Sequence, residues 1–128
     1  MKKLFLFIFS FFTASISNAQ QYNLLIGTYT NKGNSEGIYV YNFNTKTGES
    51  KLKSNIKTPN PSYLTISNDK KFVYSVNEIG KDSRVSAFSF NVLSGNLTPL
   101  NTQLTQGADP CYILADEKNV FAANYSGG

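Results

Sequence analysis

The sequence predicts an all-β fold, and three observations predict it. Strand-favouring aromatic residues are abundant, with ten Phe and eight Tyr in 128 residues. No long helical period follows residue 20. Short apolar runs bounded by turn residues recur at a nearly fixed spacing. The composition, 41% hydrophobic and 16% charged, belongs to a folded chain and not to a disordered one.

The spacing is the strongest of the three. "PSYLTISNDKKFVYSVNE" (61–78) aligns with "PCYILADEKNVFAANY" (110–125). Pro61 falls on Pro110, Tyr63 on Tyr112 and Leu64 on Ile113, each 49 residues on; Asn77 falls on Asn124, 47 residues on. "YVYNFNTKTGESKL" (39–52) aligns with "SAFSFNVLSGNLTPL" (86–100), with Phe43-Asn44 on Phe90-Asn91 and Gly48 on Gly95 at the same offset of 47. "LLIGTYT" (24–30) matches "VFAANYS" (120–126), which places Tyr29 on Tyr125 about two periods apart. A period of this length holding four short strands is the pattern of a propeller blade. The expected architecture is a β-propeller, here a partial propeller of about two and a half four-stranded blades.

Each element follows in order. Residues 22–28, 38–43 and 51–56 read as the second, third and fourth strands of a first blade. Residues 62–66, 72–76, 84–90 and 97–103 read as the four strands of a complete second blade. Residues 111–115 and 119–124 read as the first two strands of a third. The connections "SNDKK" and "NVLSGN" are rich in turn residues, and Gly48 and Gly95 stand where a hairpin needs positive φ. "GIYVYNF" is apolar on both faces, as a strand between stacked sheets should be. By this count the first strand at 22–28 has no inner neighbour. "NYSGG" opens a turn toward strands that lie beyond Gly128. The expectation is therefore an N-terminal fragment of a longer ring, whose own C-terminal blades are its first partner.

The first 19 residues stand apart. Lys2-Lys3 precede an apolar stretch from Leu4 to about Phe12, and Ser17 and Ala19 occupy the −3 and −1 positions of a cut after Ala19. That is a secretory signal peptide. The stretch falls short of the roughly 20 residues a spanning helix needs, so no stable membrane anchor is expected. The domain organisation is then a signal peptide over 1–19 and the N-terminal part of a propeller over 20–128. The protein is expected to be exported, periplasmic or secreted.

Charge and residue inventory narrow the function. Twelve Lys and Arg oppose eight Asp and Glu, giving +4, and without Lys2 and Lys3 the excess falls to +2. Arg84 is the single Arg, and the Lys residues are scattered, so no nucleic-acid partner is expected. Cys111 is the single cysteine and cannot form an internal disulfide. The chain contains no His. A Ser-His-Asp triad, a Cys-His pair and a His-based zinc site are thus excluded within it. No metal and no cofactor are expected.

"IGTYTNKGNSEGIYVYNFNTKTGE", "NPSYLTISNDKKFVYSVNE" and "DPCYILADEKNVFAANYSGG" resemble the opening of the seven-bladed propeller lactonases, the 6-phosphogluconolactonase family that includes fungal muconate lactonising enzymes. The likeness covers residues 23–128. Its most specific piece is the last, where the family reads Pro-Cys-His and later Ala-Asn-Tyr-x-Gly. The resemblance implies a lactone hydrolase, and the retained leader points to an exported one acting on a sugar lactone. Two departures matter. Tyr112 stands where the family has His, and a phenol does not take up protons near neutral pH as an imidazole does. The family's catalytic His, Arg and Glu come from later blades, so catalytic residues are expected downstream of Gly128.

The blade scheme locates a functional rim. In a propeller the innermost strands line the channel, and the residues opening the first strand and closing the second converge at one end. The expected substrate-binding residues are Glu78, Tyr112, Asn77, Asn124 and Tyr125, with Asn60, Ser62, Tyr63, Asp109, Cys111, Thr28 and Tyr29 on the same rim. Amides, hydroxyls and carboxylates around a channel suit a small-molecule sugar lactone or carbohydrate, whose hydroxyls need donors and acceptors. Against this, Asn77 and Asn124 recur at one blade position, which favours a structural role. Glu78 at a strand end is more often solvated, Cys111 reads as a buried small residue, and Asp109 reads as a cap on the turn before Pro110. The alternative function is a non-catalytic propeller binding a carbohydrate or protein through the same rim.

Overall fold

The computed structural model describes residues 21–127. The expected leader over 1–19 lies outside the described residues. Nine strands and one short 3-10 turn (Gly80–Asp82) form three antiparallel sheets in simple sequential order. Blade 1 is β1 (Gln21–Gly27), β2 (Gly37–Asn44) and β3 (Ser50–Lys57). Blade 2 is β4 (Leu64–Ile66), β5 (Phe72–Asn77), β6 (Arg84–Phe90) and β7 (Leu97–Leu104). Blade 3 is β8 (Ala108–Ala115) and β9 (Val120–Ser126). The fold is that of part of a β-propeller, as the repeat predicts. Two strand starts differ by two residues or more. The innermost strand of blade 2 starts at Leu64 and not at residue 62, because Ser62 N–H bonds back to Asn60 C=O in a tight bend. That of blade 3 starts at Ala108, three residues early, and pairs with β9 across a register shift between Pro110 and Tyr112.

The repeat is reproduced atom by atom in the hairpins. Asn44 and Asn91 open equivalent turns, and each side-chain Oδ1 accepts two backbone N–H groups, from Lys46 and Thr47 in one and Leu93 and Ser94 in the other. Gly48 (φ 74°) and Gly95 (φ 80°) close them in the left-handed region that favours glycine. A bulge follows at the same blade position, between Val40 and Tyr41 and between Ala87 and Phe88. Asp69 and Asp116 do the same service in the turns joining first and second strands. Asp69 Oδ1 takes the Ser67 hydroxyl and Lys71 N–H, which hold its carboxyl below the ordinary 3.8. Asp116 Oδ1 takes Lys118 N–H and Asn119 N–H, with the same direction of shift.

The core is interblade. Val40 from β2 meets Val73 and Phe90 from blade 2, with Leu25 and Leu97 at the margin. Ile38 and Val76 are fully buried as well. β2 buries Ile38 and Val40 and leaves Tyr39, Tyr41 and Phe43 half-buried, because among the described residues its sheet is stacked on one side only, whereas β3 and β7 are outermost and mostly exposed. Gly27 allows a close approach of blade 1 to the chain entering blade 2: a Cβ there would lie 1.8 Å from the Pro61 carbonyl oxygen. A second clasp joins the far end. Lys53 Nζ donates to Asn23 Oδ1 and to the carbonyls of Val92 and Leu93 in the β6–β7 turn. No helix among the described residues is long and apolar enough to cross a membrane.

Candidate functional site

The connectors between blades and the loops after β1 and β5 meet at one end of the sheets. Thr58 N–H donates to Glu36 C=O, Thr105 N–H to Ser83 C=O and Glu78 N–H to Asn60 C=O. Two equivalent residues organise this end. Asn60 (φ 40°) and Asp109 (φ 52°) both precede a proline and both hold positive φ, which Asn and Asp tolerate better than other side chains. Asn60 Oδ1 accepts Thr30 N–H at 2.8 Å and Asn31 N–H at 3.1 Å, while its Nδ2 donates to Glu78 C=O. Asp109 Oδ1 accepts Gly80 N–H at 3.1 Å. Each residue thus clasps the rim loop of the preceding blade. The sequence leads to the expectation that Asp109 caps its own turn before Pro110; instead, from a positive φ, its carboxylate reaches Gly80 in the neighbouring loop.

Asn77 and Asn124 form a second repeated device. Asn77 is 1% exposed. Its Nδ2 donates to Thr58 Oγ1 and Pro59 C=O, and its Oδ1 accepts the Ser86 hydroxyl at 2.6 Å. Asn124 Nδ2 donates to Thr105 C=O, and its Oδ1 is buried with no partner among the described residues. Both amides hold the connector between blades, and Asn77 has no free polar atom to offer a ligand.

Glu78, Tyr29 and Tyr125 occupy one position in three successive blades. Glu78 is not simply solvated at a strand end. Tyr29 O–H donates to its Oε2 at 2.8 Å, and Ser62 O–H donates to its Oε1. The bond to Glu78, with partial desolvation and the Glu78 charge, holds the Tyr29 hydroxyl above its ordinary 10.0. At the residue after Ser62, the Tyr63 ring lies 5.0 Å from that of Tyr112, tilted by 51°. Tyr112 (46% exposed) and Tyr125 (84%) are open to solvent. Cys111 is exposed, not buried as expected. It aligns with Ser62 and lies within β8, its Sγ 3.9 Å from the Ala123 carbonyl oxygen of β9. The rim therefore brings Tyr29, Ser62, Glu78, Tyr63 and Tyr112 into one arc across three blades. The cleft of about 340 Å³ between β3 and the outer strands of blade 2 includes Arg84, Pro99 and Thr102 in its lining but none of these five.

The Tyr29–Glu78 bond was not legible from spacing within one blade. The signal for it is the alignment of positions 29, 78 and 125, which places a Tyr and a Glu side by side on a ring.

Residues 23–128 match the family model described as lactonase, 7-bladed beta-propeller. The chain belongs to that family. It is 39% identical over 106 residues to the 6-phosphogluconolactonase of Bacillus subtilis, covering 80% of this chain and 30% of that protein. A Bacteroides fragilis crystal structure provisionally assigned as a 6-phosphogluconolactonase is 56% identical with a TM-score of 0.81, over 84% of this chain and 30% of that one. The periplasmic gluconolactonase of Pseudomonas aeruginosa is 36% identical with a TM-score of 0.76, over 84% and 32%. The chain thus spans about 30% of the length of the curated lactonase relatives it matches.

Proposed function

We propose that the protein is a sugar lactone hydrolase whose substrate sits against the arc of Tyr29, Ser62, Glu78 and Tyr112. One observation carries the reading beyond family membership. Both oxygens of Glu78 are held by hydroxyls from two blades, so the carboxylate is a fixed acceptor at the channel mouth. A lactone ring carries hydroxyls that need such acceptors, and Tyr112 and Tyr125 add exposed donors. In this reading Glu78, Tyr112 and Tyr125 contact substrate, while Asn77 and Asn124 hold the connectors that present them. Hydrolysis belongs to a ring in which further blades join these three. Those blades supply the donors that polarise the ring carbonyl and the group that activates water. The leader-like residues 1–19 and the likeness to a periplasmic gluconolactonase support export. A non-phosphorylated sugar lactone fits that compartment. A carbohydrate-binding propeller without catalysis is the second reading, favoured by Tyr112 at the family's His position.

Kinetics of the complete ring test this. Tyr112→Phe and Glu78→Gln are each expected to raise KM about tenfold to a hundredfold, with kcat little changed. A thousandfold loss of kcat at unchanged KM would make that residue catalytic instead. Carbohydrate binding with no hydrolysis of any sugar lactone by the unsubstituted ring would establish the second reading. Cell fractionation tests export, and retention of the protein in the cytoplasm would overturn it.

A further inference from the structure

Tyr63 lies in the middle of the described arc. Blade 1 flanks its sheet on one side and β8–β9 on the other. With both neighbours in place its side remains 42% exposed. Val40, Val73, Phe90 and Ile113 are buried, none more than 8% exposed, so the half-exposed Tyr63–Tyr112 pair lies outside the buried core. The hydroxyls of both rings lack hydrogen-bond partners among the described residues. The preceding residue, Ser62, donates to Glu78. Two half-exposed aromatic rings thus adjoin, along the chain, the serine that pins the Glu78 carboxylate.

That combination matches one ligand chemistry. A six-membered sugar ring has an apolar C–H face and a hydroxylated edge. An aromatic face, negative at its centre, attracts polarised C–H groups, and its area is shielded from water when the ring lies flat on it. A carboxylate accepts from the edge hydroxyls. We propose that Tyr63 and Tyr112 form a stacking platform for the C–H face of a hydroxylated six-membered ring, with Glu78 accepting from its edge. The inference rests on the lactonase reading above and names the part of the site that recognises the sugar. Tyr63 becomes a specificity-determining residue for ring-closed, hydroxylated ligands.

The test uses the complete ring and D-glucono-1,5-lactam, a ring-closed analogue that is not readily hydrolysed. Proton NMR reads the signature directly, because stacking on tyrosine moves the sugar C–H resonances upfield. Upfield shifts are expected with the unsubstituted protein and with Tyr63→Phe, which keeps the ring. Tyr63→Leu is expected to lose the shifts and to bind about tenfold more weakly. Tyr112→Leu provides the same comparison if Tyr63→Leu does not fold, as judged by circular dichroism. Unchanged shifts and affinity in the Leu variant, or binding without upfield shifts, would overturn the platform. Failure here differs from failure of the lactonase reading. Hydrolysis of gluconolactone with KM unaffected by Tyr63→Leu removes the platform and leaves the activity. Upfield shifts without hydrolysis remove the activity and leave the platform.

Discussion

Both carboxylate oxygens of Glu78 are occupied by hydroxyl donors, one from its own blade and one from the blade before. The phenol of Tyr29 depends on that partner, since the bond to Glu78 is the largest cause of its raised pKa. The sign follows from linkage. A group whose folded value is raised contributes its stability in full below the unfolded value, here the ordinary 10.0, and loses it as pH rises through the folded value. Tyr29 is half exposed, so the contribution is small and the titration itself is the better readout. Ultraviolet difference titration against Tyr29→Phe should show one phenol ionising above the ordinary range. Glu78→Gln should bring that midpoint down. An unmoved midpoint would mean that the Tyr29–Glu78 bond is not formed in solution.

Blades 1 and 2 close their outer hairpins with the same turn, yet the two glycines do not do the same work. A Cβ at Gly48 would meet nothing within 4 Å, whereas one at Gly95 would lie 3.1 Å from Lys53 Cβ and 3.2 Å from Val40 Cγ1. Both hold positive φ, so each Gly→Ala change costs about 1 kcal/mol in backbone strain. Gly95→Ala adds crowding against the interblade core and should cost about 1–3 kcal/mol more. Urea denaturation of both variants checks this, and equal losses would show that the turn of blade 2 does not dock on blade 1. The strands, the turns and both of these glycines were legible in the sequence, because strand alternation and turn chemistry act over a few residues and the repeat displays them twice. Contacts between elements were less legible. Asp109 reads as a local cap because Asp before Pro usually serves its own turn; its reach to Gly80 depends on a backbone torsion that residue types do not display. Cys111 reads as buried because free cysteines usually are, and residue type does not display its exposure on β8. The rim positions were placed by the repeat, while the bond from Tyr29 to Glu78 required the angle between two blades.

At the scale of the molecule, blades 1 and 2 adhere through the Val40–Val73–Phe90 core, the Lys53 clasp and the Asn60 clasp. Asn60→Ala removes acceptors from Thr30 and Asn31 and a donor to Glu78, and puts alanine at φ 40°. It is expected to cost about 2–4 kcal/mol. Amide exchange should rise in residues 28–36, the preceding blade's loop. Exchange confined to residues 58–62 would show that the clasp does not hold its neighbour. The arrangement bears on how such a ring can be recombined. The sheets suggest cutting the chain just before each innermost strand, so that whole blades are exchanged. A cut between Lys57 and Asn60 would leave every hydrogen-bonded ladder intact and still part Tyr29's loop from the side chain that fixes it. The inheritable unit of site geometry is therefore offset from the blade: it runs from one rim loop through the next Asx-Pro step. Grafted specificity should travel with segments such as 28–61, and exchange of blades at sheet boundaries should yield folded rings with loosened mouths.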